Sequence, residues 1–411
     1  MPDAPAVPTR ARILVLALLV LVTLVGYADR QVLALLKPVL DRELGWTASD
    51  YATISSGFQL AVAIGFLGAG WLVDRFGPRM ALGVGLVGWS LCAVLHAAAR
   101  SVTQFLVLRT GLGLFESVGT PAMMAAVSAT FRADERGRVI GFLNAAPNLA
   151  AMLTPLLVGL LFPLVGWTGT VAIIGGSGFL CALAWMLVPL RRPTPDRVAA
   201  DPTVAARPAD RHMLARVTAA FALSKLLTDP VWWFMLFWLP DLLHHRFGLD
   251  VAQLGLPLAA AYGCAAAGSL LGGFLPHRLA RGGDPEPARR RVMAVAAACV
   301  LPVPLVLVCS SLAAGVALVG LALAAHQFFA ANLFGFASER VPAAHVGRVT
   351  SIGAFCGNLG GAIILRAAGG SALLPVFGYC ALAYLAAWCV FSLLVPLRRL
   401  RRLRRADGLD A

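Results

Sequence analysis

The sequence predicts an all-α membrane protein with twelve transmembrane helices in two six-helix bundles. Its 411 residues are 59% hydrophobic and only 13% charged, whereas soluble domains average about 25% charged residues. The apolar residues are grouped in long blocks, each of roughly 20 residues or more, which is enough for a helix to cross the hydrocarbon core of a bilayer. A polar, proline-rich stretch near the middle divides these blocks into two sets of six.

The twelve apolar blocks are the predicted membrane spans, numbered 1 to 12 in chain order. They cover residues 12–37, 48–73, 80–99, 103–131, 137–164, 168–189, 216–241, 250–276, 292–312, 315–338, 346–368 and 372–397. Span 1 carries no small-residue cleavage site after a short apolar region, so we expect a retained helix and not a signal peptide.

The proline-rich stretch 190–215 has no helical periodicity and is predicted to be a cytoplasmic linker. It separates an N-terminal six-helix bundle, residues 1–189, from a C-terminal six-helix bundle, residues 216–397. Residues 398–411 are predicted to form a basic cytoplasmic tail that rests on anionic lipid headgroups. No other loop is long enough to fold as a domain, which argues against soluble catalytic or DNA-binding modules.

The positive charge of the chain is explained by its predicted topology. The net charge is +14, from 34 Lys and Arg against 20 Asp and Glu. With both termini inside, 26 of the cations fall in inner loops and tails, while the outer side holds five and the spans hold three. The outer five are Lys37, Arg42, Arg100, Arg246 and Arg366, and the three within spans are Arg30, Arg109 and Lys225. This bias predicts a multi-pass protein of the cell inner membrane with cytoplasmic termini. It also explains the positive net charge without a nucleic-acid partner.

The chain offers no pattern typical of a metal site or of catalysis. Its eight cysteines fall in apolar spans, where they are expected to act as small hydrophobic residues. We find no nucleophile–base pairing, no metal-ligand spacing and no phosphate-binding loop in the sequence. The sequence therefore predicts no cofactor, no metal and no enzymatic activity.

Asp29 and Arg30 lie side by side in the middle of span 1. A charge at this depth costs roughly 2.5–3.5 kcal/mol on insertion scales, so such residues face a partner, a cavity or water. A guanidinium group binds a carboxylate through two parallel hydrogen bonds, so Arg30 is predicted to hold an anionic substrate. Asp29 is predicted to neutralise Arg30 in the empty site and to release it once protonated. The alternative is a buried pair that only holds helices together, but adjacent helix positions point about 100° apart, which makes their mutual salt bridge poor.

Span 7 contains a second charged pair, Lys225 and Asp229, at the i,i+4 spacing of an intrahelical ion pair. We expect this pair to be structural. Trp233 lies four residues beyond Asp229, and sugars stack on indole faces, so Trp233 is a candidate substrate contact; its alternative is simple packing.

Uncharged polar residues deep in the spans indicate a cavity that binds a hydroxyl-rich ligand. The set comprises Gln59, Asn144, Asn148, Tyr262, His326, Gln327, Asn332 and Asn358. We select Asn358, Asn148, Gln59 and His326 as candidate substrate contacts. For each, the alternative is an interhelical hydrogen bond of about 0.6 kcal/mol.

The loop after span 2 carries the most specific motif. Residues 70–79 read GWLVDRFGPR and match the G-x-L-x-D-R-x-G-x-R signature of the major facilitator superfamily of secondary transporters. The resemblance implies a conformational latch at Gly70, Asp74, Arg75, Gly77 and Arg79, and a fold of two six-helix bundles around a midplane site. The corresponding stretch of the second half has His277 where the acid would stand.

Residues 27–38, 227–240 and 325–334 resemble the anion:cation symporter branch of this superfamily, and within it the hexuronate transporters. That resemblance implies import of glucuronate or galacturonate with protons. It assigns the substrate carboxylate to Arg30, a proton site to Asp29 and a polar substrate contact to Asn358. Val62 and Pro147 depart from the family pattern and imply an altered pocket.

Glu116 in span 4 stands where these relatives carry a glutamate implicated in proton coupling, and we predict that it titrates. Arg109 lies seven residues earlier, on the same helix face. We expect Arg109 to form a structural ion pair, with service to Asp29 or to the inner end of the bundle as alternatives. For Glu116, the alternative is an ion pair that ties span 4 to its neighbours.

Together these features predict a proton-coupled symporter that imports a sugar-acid anion, most specifically a hexuronate. Its partners would be a small-molecule carboxylate, protons and the lipid bilayer, and it would function as a monomer. Two alternatives stay open. One is a symporter for an aldonate such as galactonate, or for another organic anion. The other is a transporter-like anion sensor, which should lose proton coupling, whereas this chain retains Asp29 and Glu116.

Overall fold

A computed structural model describes residues 9–188, 211–281, 283, 285–341, 343–370 and 372–395. These residues form helices and no strand. Within them, nine helices are long and apolar enough to cross a membrane. The predicted tail 398–411 and most of the predicted linker lie outside this part of the chain. The last five residues of that linker begin the helix Arg211–Phe247.

Two of the long helices each contain two predicted spans. Spans 2 and 3 lie in Ala48–Leu95, which is interrupted at Gly77 (φ 79°, ψ 158°). Spans 5 and 6 lie in Ala133–Leu187, which is interrupted at Gly166 (φ 67°, ψ −177°). The positive φ at both positions is one that glycine adopts readily. A helix of about 50 residues would be roughly 75 Å long, far more than a bilayer needs, so each interruption marks the turn between two spans.

The remaining helices of the first half are Thr9–Leu44, which contains span 1, and two shorter helices that share span 4. The latter are Val102–Glu116 and Gly119–Thr130. The break falls where Pro121 lacks an N–H and its ring excludes the carbonyl of Ser117. The regular helix of span 4 is therefore interrupted directly after Glu116.

The second half contains one helix for each predicted span. Spans 7 to 12 correspond to Arg211–Phe247, Gly255–Leu279, Glu286–Val300, Leu312–Arg340, Ala343–Ala368 and Leu373–Leu394. Span 9 is shorter as an α-helix than the apolar pattern predicts. Pro302 and Pro304 prevent its continuation, and the chain passes into a 3₁₀ helix at Val303–Leu307.

The described residues divide into two compact units. The first contains residues 9–188, 233–263 and 361–370, and the second contains those described within 211–232, 264–360 and 372–395. In the first unit, span 1 packs on spans 5 and 6, and spans 2 and 3 pack on span 4. Span 4 approaches span 2 closely at Gly113, where an added Cβ would lie 2.7 Å from the Phe58 carbonyl oxygen. This close approach brings Phe58 near the turn of span 4 that carries Glu116.

In the second unit, spans 9, 10 and 12 pack together. Phe336 and Phe391 meet edge to face in this core, with ring centroids 4.7 Å apart. At one end of spans 9 and 10, Glu286 is 3% exposed and pairs with Arg290 and Arg340. The division into two compact units does not test the domain boundaries of the two six-helix bundles, which stay a prediction.

Candidate functional site

In the first unit, Arg30 is paired with Glu116. Arg30 Nε donates to Glu116 Oε2 at 2.6 Å, and the side chains are 13% and 2% exposed. The sequence predicts that Asp29 neutralises Arg30, but in the structure Glu116 is the acid that pairs with Arg30. Adjacent side chains of one helix point apart, whereas span 4 directs Glu116 at span 1.

Three aromatic rings surround the guanidinium group of Arg30. Its Cζ lies 5.1 Å from the ring centroid of Tyr27 and 5.6 Å from those of Phe58 and Trp233. We call Tyr27, Phe58 and Trp233 the aromatic cage. Rings at this range attract a cation, and the interaction strengthens where water is excluded. The cage therefore fixes the guanidinium group while it remains charged.

One edge of the Arg30 guanidinium is occupied and the other is available. Nε bonds to Glu116, whereas neither terminal Nη group donates a hydrogen bond to any part of the chain that the structure describes. The terminal Nη pair is an edge that matches the two oxygens of a carboxylate. An anion can bind there while Nε keeps its contact with Glu116.

Asp29 is buried behind this pair, with 2% of its surface exposed. Its backbone oxygen accepts a hydrogen bond from Arg109 Nη1 at 3.0 Å, while its own Oδ2 is buried without a hydrogen-bond partner among the described residues. Arg109 also lies over the Phe58 ring, at 5.6 Å. The ion pair predicted for Arg109 is not formed within the described chain, because Arg109 reaches the backbone of span 1 instead.

The neutral polar candidates of the first unit are Gln59 and Asn148. Gln59 is fully buried in span 2, and Gly361 approaches both Gln59 and Trp233 closely enough that an added Cβ would crowd both side chains. Asn148 is 3% exposed, and its Oδ1 lacks a hydrogen-bond partner in the described chain. Trp233 thus joins Gln59 and Arg30 in one neighbourhood. Val62, which departs from the family pattern, is fully buried.

In the second unit, Lys225 and Asp229 lie in contact within one helix. Lys225 Nζ is 2.6 Å from Asp229 Oδ2 and 4.9 Å from the centroid of the Phe334 ring. Span 11 approaches the pair at Gly357, where any side chain would collide with the Asp229 carboxylate. The expected ion pair is formed, and its purely structural role stays a prediction.

His326 makes contacts between helices, whereas the hydrogen bond of Asn358 lies within its own helix. His326 Nδ1 lies 2.5 Å from Tyr384 Oη, which donates to the Thr228 carbonyl at 3.3 Å, and the His326 ring stacks on Trp232 at 5.4 Å. Asn358 Nδ2 donates to the Ala354 carbonyl at 2.7 Å. The sequence carries no signal for Tyr384 as the partner of His326, because that contact depends on how spans 10 and 12 pack.

The latch segment turns at Gly77, with Gly70, Asp74 and Arg75 exposed. Arg79 donates a hydrogen bond to the Met186 carbonyl, and Trp185 Nε1 donates to the Arg79 carbonyl at 3.1 Å. These bonds tie the start of span 3 to the end of span 6. In the second unit, His277 Nε2 lies 3.1 Å from Arg289 Nη2, which binds Glu339 Oε1 at 2.5 Å.

The placement of Lys37 on the outer side stays a prediction, whereas the partners of Lys37 were not foreseen from the sequence. The helix continues to Leu44, and Lys37 is 2% exposed. Its Nζ lies 2.6 Å from Asp41 Oδ2 and 2.9 Å from Asp241 Oδ1. The i,i+4 spacing of Lys37 and Asp41 was the available signal, whereas the contact with Asp241 had none.

Two members of the aromatic cage were also missed. Tyr27 lies three residues before Arg30 in one helix, a spacing that places side chains on one face and that could have been recognised. Phe58 carries no such signal, since it reaches Arg30 only through the packing of span 2.

The sequence of this chain is similar to a known protein family and to several known transporters. The model of the Major Facilitator Superfamily matches residues 19–365. The chain is 28% identical over 353 residues to the "Probable L-galactonate transporter" of Escherichia coli (strain K12), covering 82% of this chain and 77% of that protein. It is 25% identical over 316 residues to the "Probable galactarate/D-glucarate transporter GudP" of Bacillus subtilis (strain 168), covering 70% of each. It is 25% identical over 277 residues to the "Hexuronate transporter" of E. coli (strain K12), covering 64% of each.

The fold is also similar to that of a solved structure, a bacterial homolog of the human lysosomal transporter Spinster in an inward-facing and unoccupied conformation. The TM-score is 0.76 at 16% identity, covering 94% of this chain and 98% of that one. At this identity the likeness concerns the fold alone. Together with the helices described above, it confirms the predicted fold class.

Proposed function

Because this chain belongs to the major facilitator superfamily, we propose that it is a proton-coupled symporter that imports a sugar-acid anion by alternating access. Membership makes the chain a multi-span membrane transporter and not an enzyme. The proposal concerns its cargo, its coupling to protons and the residues that carry both.

The arrangement of Arg30 is the observation that carries this proposal. A permanently charged group is held in an aromatic cage at the depth of a membrane span, with its Nε edge on Glu116 and its Nη edge without a protein partner in the described chain. Glu116 occupies one edge of this cation, and a second carboxylate would satisfy the other edge. We assign the substrate carboxylate to the Nη edge of Arg30.

Proton coupling follows from placing two carboxylates on one guanidinium group. When the substrate carboxylate arrives, Glu116 would stand near a like charge within a buried site, which favours protonation of one of the two. The substrate must remain anionic to bind Arg30, so the proton goes to Glu116. Asp29, buried beside it with an oxygen that lacks a partner in the described residues, is the second proton site of the proposal.

The sugar portion requires an aromatic face and hydroxyl partners. Trp233 supplies an indole beside Arg30, and Gln59 and Asn148 are the polar candidates of the same unit. Asn358 and His326 are the candidates of the second unit. We propose a hexuronate as the substrate, imported across the inner membrane by a chain that works as a monomer with both termini inside.

An aldonate is the second candidate substrate class. The observation that favours it is the match to a probable L-galactonate transporter, which is longer and more identical than the match to a hexuronate transporter. Both classes present one carboxylate and several hydroxyl groups, so Arg30 would serve either in the same way.

Uptake into proteoliposomes tests the proposal. We expect labelled glucuronate or galactonate to accumulate above its outside concentration when the outside is more acidic, and to equilibrate only when a protonophore is added. The preferred substrate is the one that gives the higher kcat/KM. Binding of the sugar acid without any transport would instead identify an anion sensor and contradict the proposal.

A further inference from the structure

A small, partly enclosed cavity lies in the first unit, between spans 1, 3, 4 and 6. Three polar side chains line it, Asp29, Arg109 and His96, and five apolar side chains complete its wall. Asp29 and Arg109 belong to the site already described, whereas His96 has no assigned role. His96 is 2% exposed and lies in the 3₁₀ turn His96–Ala98 that follows span 3.

The tautomer of His96 follows from its hydrogen bond. Nδ1 lies 2.6 Å from the Cys92 carbonyl oxygen. A carbonyl oxygen accepts only, so Nδ1 carries the hydrogen and Nε2 of the neutral ring is an acceptor. The ring also packs edge to face on Phe105, with centroids 5.4 Å apart. These contacts hold the imidazole in one orientation.

Three side-chain atoms of the residues that line the cavity are buried without a hydrogen-bond partner in the described chain. They are Asp29 Oδ2, His96 Nε2 and Arg109 Nε. Two of them are acceptors when Asp29 is ionised, and the third is a donor. The two acceptors and one donor match the hydrogen bonds of a single water molecule, which donates two and accepts others, and a buried water typically makes about three such bonds.

We propose that this cavity holds a buried water and that His96 is a positioning residue, which sets the proton affinity of Asp29 through that water. The inference rests on the proposed function, in which Asp29 is a proton site. The water donates to ionised Asp29 and to His96 while it accepts from Arg109. Once Asp29 is protonated, its O–H donates to the water, which still donates to His96.

An apolar side chain at position 96 removes one of the three anchors. The water is then held less well, and the ionised carboxylate of Asp29 loses a hydrogen-bond donor in a buried place. Because poorer solvation disfavours the charged form of an acid, the protonated form of Asp29 gains.

Other charged or titratable groups act on Asp29 and stay constant in this comparison. Arg109 and Glu116 face it from span 4, and Cys181 interacts with it from span 6. Arg30 is its neighbour on span 1. A change of residue 96 leaves all four in place, so an altered titration of Asp29 is assigned to the water and to His96.

Infrared titration of the full chain in lipid nanodiscs tests the inference. The band of the protonated Asp29 carboxyl group is identified by its loss in Asp29→Asn. In His96→Phe we expect the midpoint of that band to move to higher pH by about one unit or more, the scale of one hydrogen bond to a charged group. His96→Gln, which keeps an acceptor, should restore a midpoint near that of the wild type.

Two results separate the inference from the proposed function. If Asp29 titrates in the wild type but His96→Phe leaves its midpoint in place, the role of His96 is wrong and the proton site stands. If no band depends on Asp29, the proton site itself is wrong. His96→Leu is the second apolar variant should His96→Phe not fold, and the same shift is expected of it.

Discussion

In this proposal, Arg30 binds Glu116 through one edge of its guanidinium group and the substrate carboxylate through the other. Its Nε binds Glu116 at 2.6 Å, and its guanidinium group lies within the aromatic cage. The planar shape of guanidinium is what makes two separate edges possible, and an ammonium group has no such edges. Substrate binding in this account therefore depends on the shape of the residue as well as on its charge.

Replacing Arg30 with lysine tests the requirement for two edges. We expect Arg30→Lys to weaken sugar-acid binding at least about 100-fold, because losing one bidentate, charge-assisted contact costs roughly 3 kcal/mol. Calorimetric titration of the purified protein measures this. Arg100→Lys, an exposed position, is the matched control and should bind like the wild type. Similar affinities for all three proteins would remove the two-edge model.

Neutral variants of the two acids test coupling. Glu116→Gln and Asp29→Asn should retain exchange of labelled for unlabelled substrate, because exchange needs no net proton movement. Both should lose accumulation driven by an acidic outside, which the wild type shows more strongly as the outside pH falls. Parallel exchange and uptake assays in proteoliposomes measure the difference. If both variants still concentrate the substrate, the protons are carried elsewhere.

The sequence identified these residues but not their pairing. Asp29 and Arg30 stand out as charges inside an apolar span, and Glu116 and Arg109 stand out in the same way. Which acid meets Arg30 depends on the packing of span 1 against span 4, residues separated by 86 positions. Helical geometry argued against an Asp29–Arg30 bond, yet it could not supply the alternative partner.

At the scale of the helices, apolar blocks locate each element well and its ends less well. Lys37 lowers the hydropathy at the end of span 1, yet the helix continues to Leu44 because Asp41 and Asp241 neutralise the buried cation. Span 9 shows the reverse, since its apolar run continues past Pro302 while the α-helix ends at Val300. Hydropathy reports the apolar character of the side chains and not the continuity of the backbone hydrogen bonds, which explains both differences.

Span 8 lies so close to span 10 at position 268 that only glycine fits there. A Cβ there would collide with the Ala324 carbonyl, which is backbone and cannot rotate away. We expect Gly268→Ala to destabilise the protein by about 1–3 kcal/mol, measured as a lower thermal unfolding midpoint in detergent. Gly273→Ala, in the same helix with no atom within 4 Å of its added Cβ, is the control. Equal midpoints would contradict the close helix contact.

At the scale of the whole molecule, the distribution of charge predicts the orientation. The predicted inner loops and tails hold 26 of the 34 cations, and such a bias is what sets the direction of insertion. The twelve-helix fold was predictable because length and hydropathy constrain a chain in lipid to a small number of arrangements. The division of span 7 between two compact units at residues 232 and 233 has no signal in the sequence, because it depends on contacts with distant helices.

Cysteine labelling tests the orientation. In a background with the eight native cysteines replaced, Arg100→Cys should react in intact cells with a maleimide that does not cross membranes. Arg75→Cys, in the latch segment, should react only after the cells are opened. Both positions are exposed, so access to the reagent should depend on the side of the membrane. The opposite labelling pattern would invert the topology.

The most direct test of the account is an experimental structure of the full chain with a bound sugar acid. We expect the substrate carboxylate on the two Nη groups of Arg30, beside Trp233, with Nε still directed at Glu116. A clearly resolved substrate at another place, with the Nη edge of Arg30 turned to protein backbone or to lipid, would contradict both the proposed site and the proposed proton coupling.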